Sequence, residues 1–184
     1  MMNGYLPKHV GKIAIGAAML AASVYLAMIS VTLAHLEAVS GQVPFDMRPF
    51  GYSPTEAALL LDGLGMVGRE YYLTRQIPLD MVYPAFLALT LCSTIFWFGS
   101  RITSRRFVHL GVTLSVGSAL FDYIENLGIV AMIRIWPDVS GLIVYATSTA
   151  TIFKSGITTL TVILALLTGS SGRAKQKRTL ALVE

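Results

Sequence analysis

Four long apolar stretches, each carrying two acidic or basic residues at most, decide what this chain can fold into. About 20 apolar residues cross a hydrocarbon core of about 30 Å. No water is present in that core to satisfy backbone N–H and C=O groups, so each stretch must be helical. The stretches are residues 13–33, 79–99, 107–133 and 139–168. The expected fold is all-α, a single membrane domain over residues 1–184 built as an integral four-helix bundle. Composition agrees: the 184 residues are 54% hydrophobic and 13% charged, with a mean hydropathy of +0.66, too apolar for a soluble domain of that size. The first stretch reads as a retained helix. It is longer than a signal-peptide core, and Ala34-His35-Leu36-Glu37 after it is a poor cleavage site.

Basic residues set the expected orientation. Lys8, Lys12, Arg101, Arg105, Arg106, Arg173, Lys175, Lys177 and Arg178 fall on one side, where Glu184 is the only acid. The opposite connections mix Arg48, Arg69, Arg75 and Arg134 with Glu37, Asp46, Glu56, Asp62, Glu70 and Asp138. The positive-inside rule puts both termini in the cytoplasm, with a basic tail over 169–184 beside anionic lipid. The expected location is a bacterial inner membrane, and the net charge of +4 reports topology rather than nucleic-acid binding.

Residues 35–76 are too polar to span and too apolar to be disordered, so a partly helical segment on the outer membrane surface is expected. Ser53-Pro54-Thr55-Glu56 has a capping Ser, a Pro at the first helical position and a Glu three residues after the cap, a helix-start signature. Leu60, Leu64, Val67 and Tyr71 come next at helical spacing, an apolar face suited to lying in the interface. Gly63, Gly65 and Gly68 match a dinucleotide-binding pattern in form only, since no strand precedes them. Arg69 and Arg75, among the phenols of Tyr71 and Tyr72, are candidates to hold an anionic headgroup or to pair with carboxylates of the bundle.

The third stretch holds the densest chemistry. Asp122, Glu125 and Asn126 stand at i, i+3 and i+4 and share one helix face, which Ser118, Ser115 and Gly111 continue. An ionised carboxylate in hydrocarbon costs about 2.5 to 3.5 kcal/mol on insertion scales, so this face must point into the bundle and find partners. Lys154, in the fourth stretch on a stripe with Thr147, Thr151, Thr158 and Thr161, is the expected partner of Asp122. Asp80 and Tyr83 add a carboxyl and a phenol near the outer end of the second helix. Asp80 also reads as an N-cap there, a position where a carboxylate suits the helix dipole.

Several classes drop out. Cys92 is the single cysteine, so the paired cysteines of a membrane thiol oxidase are absent. His9 and His109 fall near the cytoplasmic face and His35 at the outer end of the first helix, so they do not make the paired histidines of a four-helix cytochrome. No metal or cofactor is expected. The favoured function is a small multi-pass protein that binds an amphipathic, lipid-like molecule or acts on it by acid–base chemistry. Glu125, Asp122 and Asp80 are its candidate acids and bases, and Arg69, Arg75, Tyr83, Asn126 and Lys154 its candidate binding residues. An accessory or scaffolding subunit with a purely structural polar cluster is the first alternative, and a proton-coupled carrier the second. Membrane lipids, a lipid-like substrate, and further copies or a larger membrane complex are the expected partners.

Overall fold

A computed structural model of the chain describes residues 9–99 and 105–180. Among them four helices are long and apolar enough to cross a membrane. They are α1, Val10–Ser40; α2, Pro54–Gly99; α3, Arg105–Ile135; and α4, Gly141–Leu180. A short 3-10 turn, Phe45–Met47, lies in the connection between α1 and α2. The chain is thus an all-helical, multi-pass integral membrane protein. Lys8, Arg101 and the basic side chains beyond 168, on which the expected orientation leans, lie outside the described residues.

α1 packs along α2, α2 along α3 and α4, and α3 along α4, while α1 has no comparable contact with α3 or α4. Small residues allow the close approaches. Ala14, Ala17 and Ala21 are the buried face of α1, and Gly111, Ser115 and Ser118 continue the buried face of α3. Lipid-facing positions such as Ile15, Met19, Leu26 and Val31 stay exposed, because an apolar side chain in hydrocarbon gains little by being buried.

Most of the buried apolar volume collects at the end that carries the connections α1–α2 and α3–α4, here called the loop end. α1 has 31 residues and is about 46 Å long, so it overshoots a hydrocarbon core of about 30 Å. Water is available at the overshoot to drive burial. Leu36, Phe45, Leu60, Leu61, Leu64, Tyr72, Ile129 and Met132 pack into a core there.

The segment between α1 and the membrane part of α2 starts as its sequence signature requires. Ser53 Oγ accepts from Glu56 N at 3.3 Å, and Glu56 Oε2 accepts from Ser53 N at 2.7 Å. The face expected to lie on lipid instead turns inward: Ala57, Leu60, Leu61 and Leu64 belong to the loop-end core, whereas Val67 is exposed. Gly65, whose φ of +58° and ψ of −173° break the helix, rotates the turns beyond it and so takes Val67 off the face that Leu60 and Leu64 share. Arg69 Nη1 donates to the Leu61 carbonyl at 2.6 Å beside this break. Beyond Gly65 the chain is helical without interruption to Gly99, so the helix expected over 79–99 begins some three turns earlier.

Among the described residues two helical turns are π-wound, Met28–Thr32 in α1 and Tyr72–Gln76 in α2. They face each other, and Thr32 Oγ1 donates to Gln76 Oε1 between them. A π-turn takes one residue more than an α-turn and widens the helix locally. Gln76, at the end of the second π-turn, and Asp80, one turn on, are both buried in the bundle.

Candidate functional site

α3 presents Asp122, Glu125 and Asn126 on one face, and all three are buried. α4 answers with its polar stripe. The expected pair is formed, Lys154 Nζ lying 3.1 Å from Asp122 Oδ1, and the same ammonium also contacts Glu125 Oε2. Thr151 Oγ1 donates to Glu125 Oε1 at 2.7 Å, and Ser118 and Thr158 share a hydrogen bond one turn farther along. Each carboxylate of α3 therefore meets a donor from α4, as a charge removed from water requires.

Asn126 is placed by a proline. Pro84 has no N–H to give to the carbonyl four residues before it, that of Asp80, and Asn126 Nδ2 donates to this carbonyl at 3.1 Å. Asp80 itself is no helix cap, because α2 runs unbroken through it. Its side chain is buried, and no donor reaches Oδ2.

Asp46, in the 3-10 turn, completes the group from outside the four spans. It accepts from the Tyr72 hydroxyl and from Gln76 Nε2, the latter at 3.4 Å. Tyr52, from the same connection, is buried near Thr151 and Glu125, and its backbone N–H donates to Ser148 Oγ at 2.8 Å. Burial first, and the Glu125 carboxylate second, push the Tyr52 phenol well above its ordinary value, so it remains a neutral hydroxyl.

A cavity of about 570 Å3 opens beside these groups, within the usual size of small-molecule sites. Asp46, Asp80, Asp122 and Lys154 line its polar part, and Leu87, Val162 and Ile163 are among its apolar walls. Tyr83 lines it too and stacks on Tyr25 with ring centroids 5.6 Å apart. Tyr25 on α1 and Thr159, Val162 and Ile163 on α4 line the cavity and are also exposed, so its open side lies between α1 and α4.

Of the residues singled out in the sequence, Asp80, Tyr83, Asp122 and Lys154 line the cavity, while Glu125 and Asn126 stand behind it. Arg69 and Arg75 are elsewhere. Arg69 is engaged with the Leu61 carbonyl and borders a separate surface pocket with Glu70 and Arg134. Arg75 is exposed, and neither arginine forms an ion pair among the described residues. Sequence reasoning missed Asp46, Tyr72, Gln76 and Thr32. The spacing Tyr72, Gln76, Asp80, Tyr83 marks one helix face and was a usable signal for Tyr72 and Gln76. Nothing in the spacing of Asp46 points inward.

His35 packs against Tyr71 with ring centroids 4.3 Å apart, outside the cavity lining. Among the described residues no group of three or more His, Cys, Asp or Glu is placed to hold a metal ion. No family model, no curated protein and no solved structure matches the chain.

Proposed function

We propose that this protein binds an amphipathic, lipid-like molecule, polar end against Asp46, Asp80, Asp122 and Lys154, apolar chain along Leu87, Val162 and Ile163. The observation that carries the reading is the cavity itself: about 570 Å3, polar at one part, apolar at another, and open between two helices that do not pack on each other. A molecule dissolved in the bilayer reaches such a mouth without crossing water. Any acid–base step on it falls to Asp80 or Asp122, which line the cavity, and Glu125 serves to hold Lys154 in place. The reading keeps both termini cytoplasmic in a bacterial inner membrane, as the distribution of Lys and Arg favours.

The scaffolding alternative has one observation in its favour. The Glu125, Thr151 and Lys154 contacts satisfy one another without any ligand, as a packing device would. Native mass spectrometry of the full chain purified in a mild neutral detergent separates the two. The proposed site retains one amphiphile per chain, and Val162→Trp, at an exposed position on the cavity wall, releases it while the protein keeps its melting temperature. Wild type and variant with identical bound-lipid profiles would leave the scaffolding reading standing.

A further inference from the structure

Resting on the amphiphile-binding reading, we infer that the ligand is a cation: an alkyl chain that carries a protonated amine or a quaternary ammonium group. Three carboxyl groups, Asp46, Asp80 and Asp122, line the cavity, and the one basic side chain among its lining residues is Lys154. That cation is already committed, since Asp122 and Glu125 both hold its ammonium. Asp46 draws its donors from Tyr72 and Gln76, which are neutral. Asp80 has the Asp46 carboxyl as a side-chain neighbour, and among the described residues no cation pairs with it. Its side chain is 2% exposed, it lines the cavity, and Oδ2 is buried with no donor in reach.

A buried acceptor without a donor is costly, and the cost falls when a ligand brings the donor. A ligand that also brings positive charge offsets the excess of carboxylates around it, and does so where the surrounding dielectric is low. The aromatic pair points the same way. Tyr25 and Tyr83 both line the cavity, and ring faces attract an ammonium group whether or not it carries N–H donors. An anionic headgroup meets three carboxyl groups and an ammonium already shared between two acids, an arrangement that rejects it. A neutral polyol satisfies Asp80 Oδ2 and leaves the charge excess as it was.

The test uses the full chain in neutral maltoside detergent and a set of probes with the same twelve-carbon chain: dodecylamine, dodecyltrimethylammonium, dodecyl sulfate and dodecanol. Binding is read as saturable one-to-one adducts by native mass spectrometry. Both cations are expected to bind at least about tenfold more tightly than the sulfate or the alcohol. Asp80→Asn is expected to remove most of that preference. Should this variant fail to fold, Tyr25→Leu, at a half-exposed position, is expected to weaken the trimethylammonium probe and leave the alcohol unchanged. An alkylamine or choline-type lipid already bound after purification identifies a resident membrane lipid as the source, whereas protein that arrives empty and takes up the cations identifies a ligand from outside the membrane. Equal or tighter binding of the sulfate overturns the cationic assignment and leaves the amphiphile site intact. Saturable binding of none of the four probes, with no lipid retained, overturns both.

Discussion

Lys154 shows how one side chain holds a polar group together in an apolar bundle. It contacts two carboxylates of α3, so its removal leaves both buried without a counter-charge. Lys154→Met is expected to destabilise the protein by about 3–5 kcal/mol, read as a lowered melting temperature in detergent. Adding Glu125→Gln to that variant recovers part of the loss, because one of the stranded charges is then gone. Tyr52 gives a different signature. Its phenol is raised by folding above the value near 10 that it has in the unfolded chain, so the folded state binds this proton more tightly. Stability therefore falls as pH rises beyond about 10, and Tyr52→Phe makes that fall shallower in pH-dependent thermal unfolding. At this scale the sequence was legible wherever two polar residues shared a helix face. Asp122, Glu125, Asn126 and Lys154 announce themselves by spacing, since hydrocarbon leaves them nowhere else to point. Asp46 does not, because it belongs to a three-residue turn with no period to read, and its place depends on how Phe45 and Tyr52 anchor the connection.

At the scale of elements, α2 carries the features that build the site. Its ladder is open at Asp80 because Pro84 cannot close it, and Asn126 of α3 supplies the missing donor. The two residues are thus one device. Asn126→Leu is expected to cost about 1–3 kcal/mol by leaving the Asp80 carbonyl unpaired. Against a Pro84→Ala background, where the helix closes its own ladder, the same change costs less, and a double-mutant cycle on thermal stability measures the difference. The four spans themselves were legible, since uninterrupted hydropathy has one solution in a bilayer. The early start of α2 was not. Its first turns carry Arg69, Glu70 and Arg75, which read as surface, and the three glycines argue for a broken helix when only one of them, Gly65, leaves helical geometry.

For the whole molecule, the distribution of buried side chains divides the bundle into a watered end with a conventional apolar core and a lipid-immersed part held by small residues and polar contacts. The proposed orientation makes a labelling prediction. In a Cys92→Ser background, Ser40→Cys and Asp138→Cys at the loop end react with an impermeant maleimide added to intact cells. Ser171→Cys reacts only after the membrane is opened, and the reverse pattern would invert the topology. The paired π-turns carry a further consequence for the molecule's history. Each holds one residue more than the α-helical turn it replaces, and the wide turn takes up that residue, so the helix on either side keeps the same face toward the bundle. Removing a single residue such as Met28 is therefore expected to close the turn while Leu33 and Leu36 stay on the core. A one-residue insertion in each of two neighbouring helices is thus a route from a plain four-helix bundle to one whose facing wide turns are bridged by Thr32 and Gln76, without turning the rest of either helix.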